Sequence, residues 1–324
     1  MTSERPRFRL GFLTHVQGRD DDIARTYRNA QELFVVADEL GFDVGWVAQH
    51  HVPLGGGGLS SPWTFLAHAA ARTTRIRLGT AITVLPLEDP VRLSEDIAVV
   101  DTLSGGRVEF GAGSGSNGLE YAAFGKDRAR RRELTSENPT PARRLHRPCL
   151  ARGVQRAGSR LRRTQRFEPA PEPGGLRRRR PHRRSPTPLG RRYLAAWDRP
   201  HRPRIGLSRF VFPAKDRRTA LAAIGDDVHR AALRMAEHGA FPRDFGRGRG
   251  VAPLPLVLRP SRGRRRGARA GEGAAVATDL ITQCNPAVPD HDAAIRALEL
   301  IATEVAPALG WKPAQAAEPA SAGV

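Results

Sequence analysis

The sequence is poor in cysteine and lysine and has no long apolar run. Its two cysteines, Cys149 and Cys284, show no paired spacing and no Cys/His cluster, which excludes a disulfide framework and gives no structural zinc site. No apolar stretch reaches the ~18 residues of a membrane-spanning helix, and the charges in residues 1–10 do not fit a secretion signal. We therefore expect a cytoplasmic protein without a membrane segment or a bound metal.

Nearly all the basic residues are arginine. Of 53 basic residues only three are lysine, and the formal net charge is +20. Residues 139–192 contain 17 arginines against two acids, and residues 243–273 contain nine against two. These segments together carry +22, so the rest of the chain carries −2, which is ordinary for a soluble enzyme.

The two arginine-rich segments, taken as residues 139–192 and 243–276, have three interpretations. A very basic segment is typical of nucleic-acid binding, but the first segment has a single aromatic residue, Phe167, to stack on bases. A disordered linker also combines low hydrophobicity with high charge. A shifted reading frame in a GC-rich gene gives the same Arg/Pro/Gly/Ala composition, and it explains why each segment interrupts an ordered pattern. We favour the frameshift and rank nucleic-acid binding last.

Outside these segments the sequence alternates strand and helix patterns. Strands are predicted at residues 8–14, 44–48, 76–85, 107–112, 204–212 and 277–283, and helices at 23–40, 62–72, 90–103, 221–239 and 295–309. Such alternation predicts an α/β fold with a parallel sheet, either a closed eightfold barrel or an open doubly wound sheet. Two strands missing where the arginine-rich segments lie would complete eight, which favours the barrel.

Polar and small residues follow the predicted strands, where parallel barrels have their active sites. His50 is the candidate acid or base, because an imidazole exchanges a proton near neutral pH. Its neighbour His51 points the opposite way on a strand end, so we expect one functional and one structural histidine; His15 is a weaker candidate. Residues 111–118 contain G-x-G-x-x-G, which is typical of phosphate or dinucleotide binding but normally opens the first strand–helix unit. We interpret these glycines as letting the backbone approach a flat ligand, with a flexible turn as the alternative.

These residues resemble the bacterial luciferase-like family of flavin-dependent monooxygenases. The resemblance rests on "GWVAQHH", "RIRLGTAITVLPLEDPVRLSEDIAVVDTLSGGRVEFGAGSG" and "FGKDRARR". It extends over residues 7–138 and, less fully, over residues 194–242 and 277–313. It implies a TIM (β/α)8 barrel of the luciferase-like type as a single domain over residues 1–324. The segments 139–192 and 243–276 would be aberrant within that barrel and leave it incomplete or disordered there.

The resemblance implies a reaction and its partners. Reduced FMN and O2 would oxygenate a small organic substrate through a C4a-peroxyflavin. The electrons would come from NAD(P)H, directly or through a partner flavin reductase, and a folded chain would form a homodimer. A deazaflavin-dependent oxidoreductase on the same barrel is the alternative function.

The resemblance also assigns roles by position. His50 matches the first histidine of a pair that handles the flavin–oxygen intermediate, and Gln49 replaces the glutamate usual before that pair. The candidate cofactor contacts are Ala81, Ile82, Gly113, Ser114 and Gly115.

Three of these contacts carry specific expectations. The Ala81–Ile82 pair matches a strand end that forms a non-proline cis peptide under the flavin ring. Gly113 stands where luciferase has its reactive cysteine, and Ser114 where it has an arginine near the flavin phosphate, so light emission is not expected. The family's further contacts to the flavin phosphate fall in the first arginine-rich segment, where we can match none of them to a residue of this chain. Because both segments would remove buried aliphatic side chains, one hypothesis is that the chain as written closes no stable barrel and that its corrected reading was the enzyme.

Overall fold

The strands of the computed structural model form one parallel sheet. They are β1 (Arg9–Thr14), β2 (Val44–Ala48), β3 (Arg77–Val84), β4 (Val108–Gly113), β5 (Gly206–Phe210) and β6 (Asp279–Gln283), in the order β4-β3-β2-β1-β6-β5. The structure describes residues 8–18, 22–52, 58–115, 117–137, 206–214, 218–220, 222–226, 278–283 and 290–313. Both arginine-rich segments lie outside these residues.

Helices follow most strands. They are α1 (Ile23–Glu39), α2 (Pro62–Arg72), α3 (Pro90–Leu103), α4 (Gly118–Ala123), α5 (Arg131–Glu137), α6 (His291–Leu300) and α7 (Ala306–Ala308), with a π turn at Ile301–Val305. The bounds of α2 and α3 agree with the sequence predictions. Asp22 caps α1 by accepting a hydrogen bond from the Arg25 backbone at 2.8 Å. None of the helices in the described ranges is long and apolar enough to cross a membrane.

Two residues that the sequence placed on buried helix faces are exposed. Ile23, the first residue of α1, is 48% exposed, and Leu309 is 49% exposed. The i, i+4 spacing predicted Leu309 on the same face as Val305, but the π turn changes the angle per residue and the helix ends before Leu309. The predicted helix beyond residue 226 lies outside the described part of the chain.

Aromatic side chains join the outer face of the sheet to the helices. The Phe34 ring on α1 lies between Phe12 of β1 and Phe65 of α2, at centroid distances of 4.9 and 5.8 Å. Gly45 of β2 makes room for this packing, since a Cβ there would lie 2.5 Å from the Phe34 ring. The absence of a side chain at Gly45 therefore lets α1 pack directly on the sheet.

An ion cluster on the inner face shows that the sheet curls. Arg9 Nη1 of β1 lies 2.7 Å from Glu109 Oε1 of β4, while Arg9 Nε lies 2.6 Å from Asp279 Oδ1 and Arg77 Nε lies 2.7 Å from Glu109. In a flat sheet β1 and β4 would be ~14 Å apart with side chains standing perpendicular to the sheet, too far for direct pairing. Burial raises the pKa of Glu109, but Arg9 and Arg77 outweigh burial and lower that pKa to about 2. The pairing of ionised groups thus holds the strands in a barrel-like curve.

The pairing of β5 with β6 corrects one sequence expectation. Gly206 lies opposite Asp279 and Phe210 opposite Gln283, so the two strands are direct neighbours with no strand between them. In an eight-stranded barrel the strands follow chain order. The sheet therefore has no place between β5 and β6 for a missing strand from residues 243–276, and that part of the expectation is wrong.

Candidate active site

Three polar side chains meet at the carboxyl ends of β6, β1 and β2. Nδ1 of His15 lies 3.3 Å from Nε2 of His50, and Nε2 of His15 lies 3.3 Å from Oε1 of Gln283. The two imidazole rings are stacked, with centroids 5.6 Å apart. Burial lowers the pKa of His15 to about 4, and the neighbouring His50 acts in the same direction. His15 is therefore neutral at pH 7, and the sheet order places it between two polar partners.

A buried carboxylate faces the other nitrogen of His50. Oε1 of Glu120, on α4, lies 3.6 Å from His50 Nδ1 and accepts the backbone N–H of His51 at 3.0 Å. The Glu120 side chain is 3% exposed, whereas that of His50 is 27% exposed. Burial raises the pKa of Glu120, but hydrogen bonds from His50 and from the His51 backbone outweigh burial and lower it. Glu120 is thus an anionic anchor for the histidine pair.

The two adjacent histidines have different surroundings. The ring of His51 packs edge-on against Phe124 at a centroid distance of 4.6 Å. Burial lowers the pKa of His51, which favours a neutral ring in this apolar contact. His50, by contrast, lies between His15 and Glu120. The two rings therefore differ in their contacts, and both the division into one functional and one structural histidine and the catalytic role of His50 stay predictions.

A β-bulge lies at Ala81. Val47 of β2 pairs with Thr80, but the next residue, Ala48, pairs with Ile82, so Ala81 is the extra residue. The Thr80 hydroxyl accepts the Gly111 N–H at 3.1 Å and donates to the Gly111 carbonyl at 3.0 Å, which joins β4 to the bulge. Bulges are frequent beside active sites because they redirect the strand. No cis peptide occurs among the described residues, so the Ala81–Ile82 bond is trans, unlike the cis bond implied by the resemblance.

Small residues at the end of β4 lie against the end of β3. A Cβ at Gly113 would lie 3.1 Å from the Ile82 side chain, and one at Gly115, which has a φ of +63°, would lie 2.6 Å from Val84. The Ser114 carbonyl accepts a hydrogen bond from the Tyr121 hydroxyl, which fixes this turn. Ile82 is 41% exposed although it lies within a strand. The structure therefore brings the five candidate cofactor contacts together on two adjacent strand ends, beside an exposed apolar surface.

Gln49 joins the ends of β2 and β3. Its Oε1 accepts the Val84 N–H at 2.7 Å, and its Nε2 donates to Glu88 Oε1. A glutamate at position 49 would place two carboxylates in contact, whereas an amide supplies the donor that Glu88 needs. The glutamine that departs from the luciferase pattern therefore fits its neighbour in this chain.

Comparison with protein families decides the assignment. The family model described as luciferase-like monooxygenase matches residues 7–190, which is more than half of the 324-residue chain. The chain belongs to the luciferase-like monooxygenase family. Membership confirms the family resemblance inferred from the motifs around His50 and Gly113.

Curated relatives match over little more than a third of this family member. A 4-hydroxyprotoasukamycin monooxygenase from Streptomyces nodosus subsp. asukaensis is 36% identical over 127 residues, covering 39% of the chain and 34% of the relative. The alkanal monooxygenase alpha chain of the Kryptophanaron alfredi symbiont is 32% identical over 123 residues, covering 38% and 34%. The chain thus spans about a third of the length of the curated relatives it matches.

Solved structures of monooxygenases share the fold. The oxygenating constituent of 3,6-diketocamphane monooxygenase from Pseudomonas putida, in complex with FMN, has a TM-score of 0.65 at 16% identity and covers 93% of the chain and 98% of that structure. Monooxygenase RslO1 from Streptomyces bottropensis has a TM-score of 0.60 at 21% identity and covers 93% and 99%. These similarities confirm the α/β fold of the luciferase-like TIM-barrel type.

Two residues of this luciferase-like site were missed by sequence reasoning. Gln283 ends the predicted strand 277–283, so applying the strand-end rule to the last strand would have identified it. Glu120 lies on a short helix after β4, and no sequence pattern linked it to His50. Among the described residues, no group of three His, Cys, Asp or Glu side chains is placed to hold a metal ion.

Proposed function

We propose that this chain is a flavin-dependent monooxygenase that uses reduced FMN and O2 to place one oxygen atom in a small organic substrate. The observation that carries the proposal is the His15–His50–Glu120 group, which lies at the same edge of the sheet as the bulge at Ala81 and the glycines of β4. A proton-transferring group beside an exposed apolar side chain suits flavin chemistry, because the protein must move protons and exclude water.

The residues at the β3 and β4 ends fit the ring of a flavin. Ile82 offers an exposed apolar side chain, and Gly113 packs against it without adding a side chain of its own. An apolar side chain beside a glycine suits contact with an isoalloxazine ring. Ser114 and Gly115 extend this surface as the turn after β4. The contacts to the phosphate expected in residues 139–192 lie outside the described chain.

Each residue has a distinct task in the proposed reaction. The ends of β3 and β4 would hold reduced FMN, which would supply the two electrons needed to place one oxygen atom of O2 in the substrate and release the other as water. His50 transfers a proton at its ring nitrogens, and Glu120 holds the ring by facing Nδ1. Gln49 fixes the end of β3 through the Val84 N–H, which would keep Ile82 in place for contact with a bound flavin. We also propose that NAD(P)H supplies the electrons, directly or through a flavin reductase, and that the folded chain forms a homodimer.

A deazaflavin-dependent oxidoreductase is the second candidate. The coenzyme F420-dependent tetrahydromethanopterin reductase of Methanopyrus kandleri shares the fold, with a TM-score of 0.54 at 15% identity. The two cofactors have tricyclic rings of similar shape, so the Ile82 surface by itself accepts either. The luciferase-like motifs favour FMN.

Titration with each cofactor distinguishes the candidates. We expect the full chain to bind FMN saturably, measured by the change in flavin fluorescence, and to bind F420 at least ~10-fold more weakly, a difference of ~1.4 kcal/mol. Gly113→Leu is expected to weaken FMN binding by more than ~10-fold, because its side chain would occupy the surface beside Ile82. Gly118→Ala is the matched control, since a Cβ there meets only Arg128 at 3.8 Å. Tighter binding of F420 would favour the second candidate.

The domain organisation stays a proposal. We propose one luciferase-like barrel over residues 1–324, with aberrant segments at 139–192 and 243–276 that arose by shifts of the reading frame. Resequencing the gene tests this proposal. Apolar strand and helix patterns in another frame would support it, and their absence from both other frames would overturn it.

A further inference from the structure

A second apolar cluster lies on the inner face of the sheet. Its buried members are Leu13, Val44, Trp46 and Ala48, and it is separate from the core between the sheet and the helices. Leu13 on β1 and Ala48 on β2 each come two residues before a histidine of the candidate site, so strand alternation places the cluster on the face that carries those histidines. The cluster therefore lies deeper in the curve of the sheet than the histidine pair.

The indole of Trp46 lies across three strands. Its six-membered ring lies over Gly79 of β3, where a Cβ would come within 2.4 Å of it, and its Nε1 lies over Gly11 of β1, where a Cβ would lie 3.1 Å away. β1 and β3 are the two neighbours of β2 in the sheet. A side chain at Gly79 would displace the ring. The two glycines thus give the indole room to form a floor over β1, β2 and β3.

The side chains between this floor and the histidines are small on two strands. The inward-facing residue between Trp46 and His50 is Ala48, and Ala81, the bulged residue of β3, packs against the same cluster. Trp46 precedes His50 by four residues, which is ~13 Å along an extended strand. Ala81 and Ile281 are only partly buried although they pack against the cluster, so the space above the floor is open to a ligand.

The indole acts here by its size rather than through a hydrogen bond. Its Nε1 is buried and has no hydrogen-bond partner within the part of the chain that the structure describes. A phenylalanine would fill an apolar cluster without leaving a buried donor unpaired, so packing alone favours a smaller ring at this position. The property that only tryptophan supplies is the width of its side chain.

We infer that Trp46 is a specificity-determining residue, whose indole is the floor of the substrate pocket and limits the length of the substrate. The inference rests on the proposed function and deepens it, because it adds a depth to the pocket beneath the flavin. The inner end of the substrate must be apolar, since all members of the cluster are apolar. A longer apolar end would meet the indole and hold the reacting carbon away from its position beside His50.

Calorimetric titration of the full chain with methyl ketones tests the inference without flavin or turnover. The series runs from hexanone to tetradecanone, so that only the length of the apolar end changes. Each further methylene strengthens binding ~4-fold while it is buried, and in the unmodified chain we expect this gain to stop at one chain length. Trp46→Leu lowers the floor. It should move that limit to longer ketones and strengthen binding of the longest ones by at least ~10-fold.

Trp63→Leu is the matched control on the other face of the sheet. Trp63 is 5% exposed, its Nε1 also has no partner among the described residues, and its ring packs on Phe110 at a centroid distance of 6.0 Å. Both residues belong to the core between the sheet and the helices. We expect Trp63→Leu to lose stability as Trp46→Leu does, but to keep the ketone length limit of the unmodified chain.

The possible outcomes separate the inference from the proposed function. The same length limit in the unmodified chain and in Trp46→Leu, an equal shift in Trp63→Leu, or no ketone binding by any of these chains would overturn the inference. If Trp46→Leu does not fold, Trp46→Phe replaces it, with a smaller shift expected in the same direction. A shifted limit in a chain that forms no oxygenated product would overturn the proposed function alone.

Discussion

His50→Ala is expected to lower the rate of substrate oxygenation by ~10²- to 10⁴-fold, the usual contribution of a positioned acid or base. The imidazole of His50 lies between the neutral His15 and the anionic Glu120, and nothing else among the described residues at this edge combines such partners with exposure to the site. Loss of the ring removes the group that transfers the proton. The rate is measured as product formed per unit time and per enzyme, with reduced FMN, O2 and a panel of aldehydes, cyclic ketones and terpenes as substrates.

The activity assay of His50→Ala needs a control variant that removes a histidine outside the candidate site. His68→Ala is suitable, because His68 is exposed on α2. We expect His68→Ala to retain full activity, and His50→Ala to retain FMN binding within ~2-fold, a difference of ~0.4 kcal/mol. Unchanged product formation in His50→Ala would remove His50 from the proposed mechanism. Lost FMN binding would instead make His50 a structural support of the flavin surface.

Gly111→Ala is expected to destabilise the fold by about 3 kcal/mol or to prevent folding altogether. A Cβ at this position would lie 2.1 Å from the Thr80 carbonyl oxygen and 2.5 Å from that of Ala81. Both contacts are with backbone atoms of the bulge, which cannot rotate away as a side chain can. The substitution therefore forces β4 from β3 and breaks the double hydrogen bond between Thr80 and Gly111.

Urea unfolding of matched variants measures this effect. Gly118→Ala is the control, and we expect it to be neutral or slightly stabilising, because its Cβ has ordinary contacts and alanine favours the helix α4. If Gly111→Ala and Gly118→Ala unfold at the same urea concentration, β3 and β4 do not lie as close together at the bulge as the structure places them.

The parts of the fold that local chemistry controls were predictable from the sequence. Proline in the first turn marks the start of α2 and of α3, and alternation of strand and helix predicted a parallel sheet. The π turn after α6 was not predictable, because apolar spacing assumes a constant angle per residue. The order of β5 and β6 depends on hydrogen bonds between distant parts of the chain, which the local pattern does not encode.

The candidate site was predictable only in part, for the same reason. His50, Ala81 and Gly113 follow strands, and the strand-end rule is enough to bring them to one edge. Glu120 reaches His50 from a helix seventy residues further along the chain, through packing that no periodicity records. The trans Ala81–Ile82 bond also differs from the cis bond that the resemblance implied.

The origin of the oxygen in the product tests the central claim most directly. The full chain is supplied with reduced FMN, the substrate panel and 18O2 in unlabelled water, and the products are analysed by mass spectrometry. A monooxygenase incorporates one atom of 18O into the product, and we expect this label with the unmodified chain and its near loss with His50→Ala. A product without 18O, or a hydride transfer that needs F420 and consumes no O2, would contradict the proposed function.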